Sequence, residues 1–216
     1  MADLNSDEEQ IEALKNWWSE NGTSLMLTLC IAMGAWGGWN WWQISQQNKL
    51  DSSYVEFQGL VSQLESIDDQ GDDVQIAAAL FQADQIKESH PETYYAAFSA
   101  FIKARQAVAD EDFAAAISEL EWVLAQDPAV EISLIAKMRL AQAHLANNAA
   151  DEALAALNVD DAGTFQAAID ELRGDIHLHG KQYAEAVSAY EKAKGGPDQA
   201  AGRLLEAKID HARSFL

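Results

Sequence analysis

The sequence contains one cysteine, three prolines and only 14 lysine and arginine residues, against 35 acidic ones. The lone Cys30 excludes an internal disulfide and any paired-cysteine metal or redox motif. With so few cations the formal net charge is −21, which repels phosphate backbones and anionic lipid surfaces and argues against nucleic-acid binding. Scarce proline leaves most of the 216 residues free of helix breakers. Catalytic signatures are missing as well: there is no P-loop, no GxGxxG after a strand, no GxSxG and no HExxH. Of the five histidines only His177 and His179 are close, and at a spacing of two on a helix they point apart. The chain therefore reads as a non-enzyme, with no catalytic, cofactor or metal site expected.

Hydrophobic residues make up 49% of the chain, led by alanine, enough for a sizeable core of closely packed helices. Between Asn21 and Asn48 no residue is ionisable. The most apolar part, residues 22–42, has about the length of a helical membrane span, ~20 residues. Trp36, Trp39, Trp41 and Trp42 crowd one end, and Trp17 and Trp18 precede the other, as indoles do at headgroup level. The segment before it is acidic, with Lys15 its one cation, and no small-x-small site follows, so a retained transmembrane helix is expected rather than a cleaved signal. Lys15 and Lys49 flank it almost symmetrically, so charge alone leaves its orientation open. Cys30, Gly34 and Gly38 recur every four residues and form a small-residue face on which another membrane helix could pack.

The division expected is an acidic tail with a short amphipathic helix over 1–21, the span over 22–42 and a helical repeat domain over 43–216. In the tail, Ser6 and Glu9 form a capping box, Ile11, Leu14, Trp17 and Trp18 make an apolar face, and Asn21-Gly22 ends the helix. After the span, Leu50, Tyr54, Phe57, Val61 and Leu64 form one helical stripe that stops at a solvated turn over 68–73.

Self-similarity dominates the remainder. "FAAAISELEWVLAQDP", "AADEALAALN" and "QYAEAVSAYEKAKGGP" align with Ala116, Ala153 and Ala186 at one position, and with Leu120, Leu157 and Tyr190 four residues on. Twelve residues before each alanine stand Ala104, Ala141 and Gly174, small sites where paired helices cross. Pro128 and Pro197 close two of the units.

These units resemble the tetratricopeptide repeat, best over "ELRGDIHLHGKQYAEAVSAYEKA", where Gly174, Tyr183, Ala186, Tyr190 and Ala193 hold consensus positions. His177 replaces the usual aromatic and Lys181 a consensus glycine. The middle unit is degenerate, with a short second helix. A weaker pair over 51–89 would cap the array, and residues 198–215 would form a terminal helix with Leu204, Leu205 and Ile209 facing inwards. An all-α architecture follows: one transmembrane helix and then a tetratricopeptide-like α-solenoid.

With "EEQIEALKNWW", the Gly/Trp-rich stretch and "ELRGD", the layout is similar over its full length to the YfgM-type ancillary subunits of the bacterial SecYEG translocon. That resemblance implies an inner-membrane protein with a cytoplasmic N-terminus and a periplasmic repeat domain. It also implies association with SecYEG and the periplasmic chaperone PpiD, and a cytosolic-side role in restraining a stress response regulator. The alternative is an anchored repeat scaffold for a different envelope complex. A concave face lined by the first helix of each pair makes Phe101, Arg105, Met138, Gln142, Asp175 and His179 the expected partner-binding residues.

Overall fold

Abundant alanine and scarce proline are directly visible in the secondary structure. The computed structural model describes residues 4–67, 73–194 and 199–216, with side chains from Gln10 onward except at Ala13 and residues 199–201. Among the described residues every regular element is helical: α1 (Leu4–Glu65), α2 (Asp73–Ser89), α3 (Tyr94–Ala109), α4 (Phe113–Ala125), α5 (Val130–Ala146), α6 (Ala150–Ala156), α7 (Gln166–His179), α8 (Tyr183–Ala193) and α9 (Gln199–Arg213), with a 3₁₀ turn at Gly163–Phe165 before α7. The Ser6–Glu9 capping box, nearly all of the 68–73 turn, and Pro197 lie outside the described residues or side chains.

The chain divides into two compact units, Met1–Ser52 and Ser53–Leu216. In the first, α1 is helical through Asn21-Gly22, so the break expected there does not occur. A single glycine costs a helix only about 1 kcal/mol, and the Asn21 amide donates to the Trp17 carbonyl of its own helix at 3.1 Å. Among the described residues no helix is long and apolar enough to cross a membrane. Residues 22–42, where the span was expected, form the middle of this longer helix. Its tryptophans, glycines and the polar Thr23, Ser24, Thr28 and Asn40 dilute the aliphatic run from Leu25 to Met33.

In the second unit the end of α1, through Leu60, packs with Ala79, Ala83 and Ile86 of α2 and Ala96 of α3. Leu60 is fully buried whereas Leu50 and Tyr54 are exposed, so the inward face lies to one side of the stripe read from spacing. The expected repeat pairs follow as α3/α4, α5/α6 and α7/α8. Ala116, Ala153 and Ala186 have no exposed surface, and Ala104, Ala141 and Gly174 are buried opposite them. Leu120, Leu157 and Tyr190 fill the space between, each burying enough apolar surface to contribute about 1.5–3 kcal/mol. Alanine brings the helix axes close; leucine and tyrosine supply most of the burial.

The turns inside the pairs share one device. Glu111, Asn148 and Lys181 have φ values of 60°, 58° and 58°, at matching places in the three units. The left-handed residue reverses the chain in very few residues, which explains why glycine suits the place Lys181 occupies. Side chains add the stops and starts: Thr93 accepts from the Ala96 amide at 3.3 Å and Asp112 from the Ala115 amide at 3.0 Å, capping α3 and α4. Helix α6 spans only seven residues, as the degenerate middle unit implied.

Candidate protein-interaction groove

Helices α3 and α5 are the first members of neighbouring pairs, and the space between them is incompletely filled because alanine lines it. Ala104 and Val108 of α3, with Ala143 and Ala146 of α5, line a cavity of about 340 Å³ that Leu120 of α4 also borders. A second cavity of about 270 Å³ adjoins it, bounded by Phe57, Phe98, Ile102 and Ile135. Phe101, Arg105 and Arg139 border both, so the two make one apolar groove with guanidinium groups at its middle.

The Arg139 guanidinium lies 4.4 Å from the centre of the Phe101 ring, a cation–π arrangement that fixes the plane of its fork. Burial, and next the charge of Arg105, hold Arg139 below the ordinary arginine pKa. Tyr54, Phe57, Tyr94, Tyr95, Phe98 and Phe101 form a chain of ring contacts with centroids 4.2–6.4 Å apart. Tyr54, Tyr94 and Phe98 are exposed, so this aromatic surface continues the groove past Phe57.

The structure brings together three of the six residues expected on the concave face: Phe101, Arg105 and Gln142. Met138 instead packs against the core made by Leu134, Ala141, Ala153 and Leu157. Asp175 is engaged internally: it accepts from Lys208 of α9 at 2.7 Å and from the Tyr190 hydroxyl at 2.8 Å. His179 is exposed on the last turn of α7, apart from the groove. Spacing missed Arg139, although it lies four residues after Ile135 and three before Gln142 and thus shares their face. On α1, Cys30, Gly34 and Gly38 are exposed, and a Cβ at either glycine would meet open space.

Around the groove the solenoid is held by ion pairs. Lys103 bridges Asp84 of α2 and Glu119 of α4 at 2.6 Å each, and Lys87 meets Glu119 while lying over the Trp122 ring. Among the described residues no three His, Cys, Asp or Glu side chains converge on a metal-sized site.

Residues 15–214 match the family model for the tetratricopeptide repeat-like domain. The chain belongs to that family. The match takes in most of α1 as well as the helix pairs, so it is not confined to the solenoid. Two curated relatives, both named ancillary SecYEG translocon subunit, are similar over nearly their whole length. The Haemophilus influenzae protein is 26% identical over 95% of this chain and 97% of its own. The Escherichia coli protein is 25% identical over 95% of this chain and 96% of its own. The crystal structure of the P58(IPK) TPR domain superposes with a TM-score of 0.43 and 15% identity, covering 64% of this chain and 41% of that one. The α3/α5 groove is thus a partly apolar surface on the stacked helix pairs of a tetratricopeptide repeat-like domain.

Proposed function

We propose that the protein is a membrane-tethered interaction module, ancillary to the SecYEG translocon, that presents its tetratricopeptide-like solenoid to exported proteins and hands them to periplasmic chaperones such as PpiD. The observation that carries this reading is the likeness to ancillary translocon subunits along the whole chain, α1 included. In this reading α1 is the tether. Leu25, Met26, Leu27, Leu29, Ile31 and Met33 are all exposed on it, which only a lipid or protein environment favours. A helix short of the apolarity of a free span is accommodated in a bilayer where another helix covers it. Cys30, Gly34 and Gly38 leave the room for that neighbour. The N-terminus then lies in the cytoplasm, where its acidic segment is available to a stress response regulator, and residues 50–216 lie in the periplasm. A tethered solenoid has a high effective concentration at an exit channel, so even weak client binding counts.

Affinity purification of the full chain in mild detergent tests the proposal. SecYEG subunits should co-purify, and Gly34→Leu with Gly38→Leu should lower their yield without lowering the level of the protein itself. Absence of SecYEG from the eluate refutes the translocon assignment, and other envelope proteins in its place favour a scaffold for a different complex. External protease on spheroplasts should digest residues 50–216; protection until lysis refutes the topology.

A further inference from the structure

Six cations of this acidic chain are engaged by carboxylates. Lys87, Lys103, Arg173, Lys194, Lys208 and Arg213 each lie within ion-pair distance of a carboxylate. Arg105 and Arg139 stand in the groove itself: among the described residues neither meets a carboxylate or donates a hydrogen bond, and no acidic side chain shares the groove lining with them. They also stand close enough to repel one another, and that repulsion adds to burial in lowering the pKa of Arg139. Two like charges held together on an apolar, partly enclosed surface are unfavourable until an anion arrives. The ring of Phe101 supports one face of the Arg139 fork, so its N–H edge needs little further ordering to meet a planar carboxylate.

We propose that the Arg105–Arg139 pair binds a side-chain carboxylate of an extended polypeptide whose neighbouring apolar side chain enters the alanine-lined cavity between α3 and α5. Charge complementarity selects the anion and the cavity selects a polypeptide. A lipid headgroup brings no side chain to fill the space beside Val108 and Ala143, and a bilayer with anionic lipids repels a chain of net charge −21. The exposed rings of Tyr94 and Phe98 extend the apolar track along the same peptide. The inference deepens the reading of this groove as the client surface, by naming the sequence feature it selects.

The probes are two fluorescein-labelled octapeptides with amidated C-termini, each carrying one leucine and one phenylalanine, the first with an aspartate and its twin with asparagine. Anisotropy titrations use the full chain in a non-ionic detergent. At low salt the aspartate peptide should bind about tenfold more tightly than its twin, the scale of a charge-assisted hydrogen-bonded pair. The preference should shrink as sodium chloride is added. Arg105→Gln and Arg139→Gln should each remove most of it while the chain keeps a cooperative melting transition. Equal affinities for the twins in the wild-type chain overturn the proposal. So does a preference that survives both substitutions, or arginine-dependent binding seen only with phosphatidylglycerol vesicles. Loss of SecYEG co-purification alongside an intact aspartate preference supports this site while refuting the translocon assignment.

Discussion

Gly174 on α7 faces Tyr190 on α8 at a close approach of paired helices, and Gly174→Ala tests that packing directly. A Cβ there would stand 2.4 Å from both Cδ1 and Cε1 of the Tyr190 ring. Carbon atoms rest at about 3.5–4.0 Å, so the ring would have to retreat by more than 1 Å. It has no room to do so: Tyr190 is fully buried and its hydroxyl is fixed to Asp175 at 2.8 Å. Overpacking of this kind costs about 1–3 kcal/mol, and loss of the hydroxyl bond adds about 1 kcal/mol. Against this, alanine gains about 0.8–1.0 kcal/mol over glycine in a helix interior. The net loss is about 1–3 kcal/mol, which for a domain of this size lowers Tm by roughly 2–4 °C per kcal/mol. Calorimetry of the full chain in detergent should therefore show a fall of several degrees. Combining Gly174→Ala with Tyr190→Leu removes the obstructing ring, so the pair should lose less than the sum of the two single changes. A Gly174→Ala variant melting at or above wild type would refute the close α7–α8 approach, because only the helix-propensity gain would then remain.

Ala153→Trp and Ala186→Trp should each destabilise by about 1–3 kcal/mol or more, since neither alanine has any exposed surface; unchanged melting of both would place the repeat register elsewhere. Lys181→Gly should raise stability by about 0.5–1 kcal/mol, because it relieves a side chain held at φ 58° at some cost in chain entropy, and urea titration reads the difference. Met138→Ala should cost about 2 kcal/mol or more through lost core packing, whereas Gln142→Ala, on the groove, should leave the urea midpoint nearly unchanged. Stability should fall on alkaline titration. Burial and then the bond to Asp175 raise the Tyr190 pKa, and Lys208 is raised because Asp175 and Glu171 outweigh its burial. Both groups hold their protons in the folded chain after the unfolded chain has released them, so their contributions fade from about pH 10 upward. Tyr190→Phe should flatten that decline, and an unaltered profile would refute the linkage.

The helix pairs were legible because their signal is repeated and chemically narrow. A small residue is required wherever two axes cross, and only Ala104, Ala141, Gly174 and their partners supply one at the right intervals. Interruptions were harder to read than continuations. Asn21-Gly22 looks like a terminator, yet nothing in the sequence states what α1 must fold against, and a solitary glycine is too weak to stop a helix carried by its flanks. The apolar stretch shows a related difficulty. Its length and freedom from charge suggest a span, whereas its apolarity depends on how indole and glycine count, and a helix that relies on neighbours for cover does not announce them in its own residues. Long-range ion pairs were beyond reach for the same reason. Asp175 was a sensible groove residue until Lys208, on a helix 33 positions later, took it up.

The groove itself shows what one step of register decides. Successive residues on a helix point about 100° apart, so choosing Met138 rather than Arg139 exchanges a core thioether for a groove guanidinium. Alignment of the repeats set Met138 level with Phe101 as a contact residue, and the fold uses it as packing against the core that contains Ala153 of α6 and Leu157 just after it. Arg139 is then turned towards Arg105, 34 positions earlier, an apposition with no local signature in either helix. What the sequence did carry was the imbalance: in a chain so rich in carboxylates, two arginines left without one are conspicuous only once their surroundings are known. Carboxylates of neighbouring helices neutralise Lys103 and Lys208, whereas no acidic side chain lines the groove beside this pair. Leaving the pair open costs the isolated solenoid some electrostatic repulsion, and a bound carboxylate would convert that repulsion into binding energy.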